Sequence, residues 1–287
     1  MRRRPFGKSG VEISALTLRL SDAARLGVLE TRDLVAAALR CGVNSFQIDA
    51  VSDATRQGAK AAFATVERHA LFVTLRVRDQ AEASLNEAFA ALGLDRADLV
   101  LVNDPRGPVL PLGLESALRA ARGTALTPGL GVATRGEIDP GLLAHEALTA
   151  IACPFNLASG LSDRQRLRDA ERRDLAVLGE DFWPQALRDG GQDLPRPSLW
   201  RRRTDPLAGI GGYDFLDETP GWSAEEICLA YALTEPSVTS VCVTVENQND
   251  IQRLAAVVER ELPDGVRARI ELARFSAQER EKAASRA

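Results

Sequence analysis

The chain has 287 residues, with 36 Lys+Arg against 40 Asp+Glu and a formal net charge of −4, a balance that argues against a nucleic-acid binder. With 45% apolar and 26% charged residues it has the composition of a globular protein with a substantial core, which excludes a disordered chain and a staple-dependent mini-fold. Only two His, two Tyr and three Lys occur, so chemistry that needs those side chains has few candidates; the Arg excess reads as a high-GC bias.

In chain order, the basic Met1-Arg2-Arg3-Arg4 start is followed by Pro5 and Gly7 where a signal peptide needs an apolar run. No stretch approaches the roughly 20 apolar residues of a membrane span, so cytoplasmic residence is expected. Beta-rich runs then recur at Ile13–Arg19, Ser45–Asp49, Leu71–Val77, Leu99–Asn103, Gly129–Thr134, Ala150–Pro154, Leu175–Asp181 and Ser240–Thr244. Between them, Thr31 to Arg40 carries a helix signal closed by Cys41-Gly42, and Gln80–Leu92 ends at Gly93. Ser223-Ala224-Glu225-Glu226 opens a later helix with a capping sequence. Eight strands alternating with helices over about 260 residues predict one α/β domain, 1–287, folded as a (β/α)8 TIM barrel.

The segment from Phe182 to Trp222 breaks this rhythm with Pro184, Pro195, Pro197, Pro206 and Pro220, and predicts a long loop after strand seven. Inside it, Trp200-Arg201-Arg202-Arg203 is either a solvated basic run or a docking point for an anionic partner. Gly209-Ile210-Gly211-Gly212 follows no strand and opens no helix, which makes it a poor nucleotide motif. Val266 to Lys282 predicts an extra C-terminal helix with Ile270, Ala273 and Ala277 on its packing face, followed by a frayed Ala283-Ala284-Ser285-Arg286-Ala287 end. Cys41, Cys153, Cys228 and Cys242 are widely spaced without a C-x-x-C pair, so they read as reduced core residues and not as a metal site or a disulfide framework.

Arg4-Pro5-Phe6-Gly7-Lys8-Ser9-Gly10-Val11-Glu12-Ile13 resembles the opening β-hairpin of the aldo-keto reductases. The resemblance continues through Ala38-Leu39-Arg40-Cys41-Gly42-Val43-Asn44-Ser45-Phe46, Ala91-Leu92-Gly93-Leu94-Asp95, Pro154-Phe155-Asn156-Leu157 and Pro236-Ser237-Val238-Thr239-Ser240-Val241, covering about residues 4 to 260. It implies a barrel of aldo-keto reductase type in which a nicotinamide cofactor passes hydride to a carbonyl. A Tyr tuned by Lys and assisted by His and Asp would donate the proton.

At the positions that match this catalytic tetrad the chain has Gln47 for the Asp, Ser52 for the Tyr, Arg76 for the Lys and Asn103 for the His. A Ser hydroxyl is a far weaker acid than a phenol, and Arg is not a tunable amine. Tyr231 falls mid-helix at a core position, Tyr213 in the long loop, and His69 and His145 outside the strand ends. A shifted acid such as Asp49 or Asp104 is the remaining proton-donor candidate.

The cofactor positions that the resemblance implies are Arg19, Thr134, Arg135, Asn156, Thr244, Glu246 and Asn247. Ala133-Thr134 replaces the family's nicotinamide-binding Ser-Asn pair, Ala152 its Gln, and Arg253-Leu254 its adenosine-binding Glu-Asn pair. Glu246 falls where an Arg often takes the 2′-phosphate, so a bound dinucleotide would be NAD(H) rather than NADP(H), held without catalysis; the alternative is a solvent-exposed loop that binds nothing. If the barrel register holds, Arg19, Arg76 and Arg135 converge on the mouth. They then bind an anion, or they pair with Asp22, Asp49, Asp53 or Asp104 and plug the site.

The joint loss of the tetrad resembles a non-catalytic branch of the family that regulates bacterial cell division. That resemblance implies NAD(H) sensing without turnover, inhibition of FtsZ assembly and contact with a DivJ-type histidine kinase, with the loop 182–222 as a movable surface. An oxidoreductase with a rebuilt site, and a barrel that binds another anionic metabolite, are the alternatives.

Overall fold

A computed structural model of the chain describes residues 1–21, 25–49, 51–77, 92–94, 97–103, 129–138, 140–145, 147–184, 213 and 215–285. The expected helix before Leu92, the basic run at 200–203, the glycine string at 209–212, Asp22 and Asp104 lie outside these residues.

The chain opens with an antiparallel hairpin, β1 (Arg3–Pro5) and β2 (Glu12–Ser14), joined through a single 3-10 turn at Gly7–Ser9. Eight parallel strands follow: β3 (Leu16–Leu20), β4 (Ser45–Ile48), β5 (Phe72–Val77), β6 (Leu99–Asn103), β7 (Gly129–Ala133), β8 (Leu148–Pro154), β9 (Ala176–Glu180) and β10 (Ser240–Val243). They close in sequence order, with β10 pairing to β3, as a complete barrel. Each of the eight predicted strands is present within a residue or two at most boundaries. The first is corrected: Ile13 belongs to the hairpin, and the barrel strand starts at Leu16. These strands are almost continuously buried because a parallel sheet is covered on both faces.

Among the described residues the helices are α1 (Val28–Arg40), α2 (Asp53–Phe63), α3 (Pro140–Leu143), α4 (Leu161–Glu171), α5 (Phe215–Glu218), α6 (Ala224–Leu233), α7 (Gln248–Val257) and α8 (Val266–Ser285). None is long and apolar enough to cross a membrane. Helix α1 starts three residues before the expected Thr31, because Gly27 adopts the extended cap conformation and its carbonyl accepts from Thr31 N. Ser223 and Glu226 form the expected capping box at α6. Helix α8 begins at Val266 as expected and runs on to Ser285, with Val266 and Ile270 buried.

The hairpin shuts the amino-terminal end of the barrel. Phe6 and Ile13 are buried there, Phe6 packs against Phe72 with ring centroids 4.5 Å apart, and Gly7 holds a positive φ of 52° where a Cβ would stand 2.4 Å from Asp174 O. Above this plug, side chains alternate between the barrel interior and the helix layer. One wall of the interior is polar, with Thr17 Oγ1 bonded to Ser45 Oγ at 2.8 Å and to Ser240 Oγ at 2.7 Å. The opposite wall is apolar, built from Leu99, Leu101, Ala133, Ala150, Ala152, Ala176 and Leu178. Gly131 leaves room for Leu101, whose Cδ1 would stand 2.8 Å from an added Cβ.

Candidate functional site

The carboxyl ends of the strands form the open end of the molecule, which is where (β/α)8 barrels carry their sites. Strand alternation brings Arg19 of β3, Arg76 of β5, Asn103 of β6 and Glu180 of β9 to this end, and Asp49 follows β4 directly. The Arg19 Nε and Nη2 both donate to Asp49 Oδ2, at 2.7 and 2.5 Å. Arg76 Nε lies 3.7 Å from Asp49 Oδ1, while its Nη1 donates to Glu180 Oε1 and its Nη2 donates to Asn103 Oδ1 at 2.7 Å. Glu180 Oε1 also lies 3.9 Å from Arg19 Nη1. The four charges therefore alternate around a closed ring, Arg19, Asp49, Arg76, Glu180 and back.

Three members of the ring are withdrawn from solvent: the side chains of Asp49, Arg76 and Glu180 are 13%, 12% and 10% exposed, against 28% for Arg19. Burial alone would lower the Arg19 pKa, but the Asp49 charge and hydrogen bond, joined by Glu180, hold it above its ordinary value. Beneath the ring, Cys242 Sγ donates to Gln47 Oε1 at 3.6 Å. Burial and the Glu180 charge push that thiol well up, so it stays protonated.

Arg19 and Arg76 meet at the mouth, each paired with carboxylates, and the partners differ in part from those expected. Asp49 is one, Glu180 is the other, and Asp53 instead binds Arg56 on its own helix. Arg135 does not enter the ring. It stands 79% exposed on the rim and donates to Asp181 Oδ2 at 2.5 Å. Asp181 follows Glu180 directly and holds a left-handed φ of 50°, with its carbonyl accepting from Asn156 Nδ2 at 2.9 Å.

The remaining sequence-derived residues are dispersed around this centre. Gln47 is fully buried on β4. Ser52, at the position of the family's Tyr, is exposed and caps α2, accepting from Thr55 N at 3.3 Å. Thr134 is buried, with Oγ1 accepting from Gly136 N at 3.0 Å. Asn156 Oδ1 accepts from Ala158 N at 2.9 Å. Thr244 and Glu246 are exposed after β10, and Asn247 caps α7 by accepting from Asp250 N at 3.1 Å. Leu254 is fully buried and Arg253 is held by Glu225 at 2.6 Å.

No phenol reaches the mouth among the described residues. Tyr231 lies in the helix layer, bonded to Glu271 at 2.9 Å and to Arg164 at 2.5 Å; burial, opposed by Arg164 and reinforced by Glu271, pushes its pKa up to about 12. Tyr213 is buried beside Phe215. His69 is exposed before β5, and His145 accepts from Ala147 N through Nδ1.

Sequence reasoning missed Glu180 and Asp181. The signal for Glu180 was present, since period-two alternation from Ala176 through Leu178 points a carboxylate into the barrel.

The closed parallel barrel with a hairpin across its amino end is a (β/α)8 barrel of the aldo-keto reductase type. Among solved structures the chain is similar to "aldo-keto reductase AKR11C1 from Bacillus halodurans (holo form)", with a TM-score of 0.71 and 15% identity over 95% of this chain and 96% of that one. No protein-family model and no curated protein matches the sequence.

Proposed function

We propose that this barrel is a non-catalytic, aldo-keto-reductase-like regulator that binds NAD(H) and acts through protein partners. The observation that carries the reading is the state of Arg76. At the position of the family's tunable lysine, a permanently charged guanidinium is bound to Glu180 and Asn103 within a closed ring, and it has no phenol beside it.

The residues present fit a dinucleotide in part. Exposed Arg135 offers donors to a pyrophosphate, and Glu246 with Thr244 offers acceptors to ribose hydroxyls. Thr134, Asn156 and Asn247 have side-chain atoms committed to backbone groups nearby. A bound nicotinamide would supply a hydride; the family's phenol does not stand at this mouth, and the carboxylates that do, Asp49 and Glu180, are engaged by Arg19 and Arg76.

The joint replacement of the tetrad by Gln47, Ser52, Arg76 and Asn103, which resembles a non-catalytic, cell-division branch of the family, is what suggests the partners: FtsZ, whose assembly the protein would inhibit, and a DivJ-like histidine kinase. The test is a thermal-shift titration with NADH, NAD⁺, NADPH and NADP⁺ beside a turnover assay on a carbonyl panel. A ligand at about 100 times its Kd stabilises by about 2.7 kcal/mol. A saturable NADH shift without NADH oxidation supports the reading. Oxidation with any carbonyl overturns the non-catalytic part, and no shift with any of the four overturns the dinucleotide part. Light scattering of FtsZ assembly with and without NADH tests the partner.

A further inference from the structure

Glu180 and Asp181 are consecutive residues that send their carboxylates to two different places on the same rim. Glu180 Oε1 lies between two guanidinium groups, bonded to Arg76 Nη1 and 3.9 Å from Arg19 Nη1. Asp181 Oδ2 is 2.5 Å from Nη2 of Arg135. Three arginines from three separate parts of the chain, β3, β5 and the loop after β7, thus converge on two adjacent carboxylates.

A pair of carboxylates held this way has the chemistry of a small dianion. The backbone between them turns through a left-handed residue: Asp181 has a φ of 50°, a region that Asp tolerates better than most residues and glycine better still. The contacts that hold this turn are the Arg135 pair and the Asn156 Nδ2 bond to the Asp181 carbonyl. Releasing the two carboxylates would let this turn relax.

We propose that the mouth is a receptor for a small dicarboxylate, held shut by the chain's own Glu180–Asp181 pair, which occupies the guanidinium groups the ligand would take. The inference rests on the reading of the mouth as a ligand site. A monocarboxylate competes poorly, because each internal carboxylate is tethered beside its arginines and acts at high effective concentration. A dicarboxylate displaces both at once and offers the same bidentate acceptors to Arg76 with Arg19, and to Arg135. Specificity for two charges follows from the closure.

Titrations of the whole protein with succinate, acetate and pyrophosphate test this, comparing wild type with Asp181→Gly and with Glu180→Gln/Asp181→Asn. Glycine accepts the positive φ without strain, so Asp181→Gly keeps the fold while freeing Arg135, and it stands as the measurement if the double variant does not fold. Succinate is expected to bind Asp181→Gly about tenfold tighter than wild type, and tighter than acetate, with the gain abolished by Arg135→Ala in the same background. A folded Asp181→Gly that binds succinate no tighter than wild type overturns the proposal. A gain confined to pyrophosphate overturns the dicarboxylate assignment. The NADH titration of wild type separates the two readings: a NADH shift without a succinate gain removes this inference alone, and a succinate gain without a NADH shift removes the dinucleotide reading alone.

Discussion

Arg76 on β5 and Glu180 on β9 are 104 residues apart in sequence and stand on opposite walls of the barrel, yet their side chains meet at its mouth. Three strands separate them in either direction around the sheet. Their ion pair is therefore a tie across the full width of the barrel, and it completes a circuit that local pairs such as Arg19 with Asp49 leave open.

Because both side chains are about nine-tenths buried, removing either one leaves its partner's charge with only its longer contact, Asp49 at 3.7 Å for Arg76 or Arg19 at 3.9 Å for Glu180. Arg76→Met and Glu180→Leu are each expected to cost about 2–4 kcal/mol, and the double variant less than the sum of the two. Urea denaturation of the four proteins measures this, and an additive result would show that the pair contributes nothing as a pair.

Helix α2 contains Gly58, where an added Cβ would stand 2.5 Å from Val28 O and 2.6 Å from Thr31 Cβ of α1. Helix propensity alone favours Ala there by about 1 kcal/mol. Overpacking is expected to win, so Gly58→Ala loses about 1–3 kcal/mol and melts at a lower temperature. A stabilised variant would mean that the two helices separate without cost.

Burial raises the Cys153 thiol to about 12, with the Arg166 charge opposing, and the Tyr231 phenol likewise to about 12. Both groups are raised above their unfolded values, so their contribution to stability is complete below the unfolded pKa and is lost as pH climbs toward the folded one. Stability is expected to decline between about pH 9 and 12, beginning near 9 with the raised thiols of Cys153 and Cys242 and joined by the phenol near 10. Denaturation across that range checks it, and Cys153→Ala should make the decline shallower while Cys242 keeps its onset. A thiol reagent at neutral pH should label Cys41, which is half-buried, well before buried Cys153, Cys228 and Cys242.

Ser52 occupies the position of a catalytic phenol in the resembling family, but here it is a helix cap. Ser52→Ala is expected to cost about 1 kcal/mol of stability. Ser52→Tyr should lose the same cap and gain no carbonyl reduction, because the guanidinium of Arg76 is held by Glu180 and Asn103 and is not a tunable amine that could activate a phenol. NADH oxidation by Ser52→Tyr would contradict this.

The barrel was legible in the sequence because strands buried on both faces read as nearly unbroken apolar runs, each bounded by turn residues. The start of the first barrel strand was not, since Ile13 is as buried in the hairpin as Leu16 is in the barrel, and apolar patterning passes from one to the other without a break. The meeting of Arg19 and Arg76 followed from strand register. The inward direction of Glu180 could be read from the same alternation, but its pairing with Arg76 could not, because contact between opposite walls leaves no local spacing to read. Asp181 carried no pattern at all, its role depending on a single left-handed backbone angle.

The cross-barrel tie also has an order in time. Arg19, Asp49 and Arg76 are all synthesised by the third barrel strand, whereas Glu180 emerges 104 residues after Arg76. Until then these three groups carry two positive charges against one negative, and the fourth member balances them only when β9 docks. Closing so long a loop is a late and slow event in folding. A nascent or truncated chain therefore holds a repulsive, well-hydrated edge that discourages it from sealing early or pairing with a neighbour, and the finished circuit registers that the sheet has come full circle.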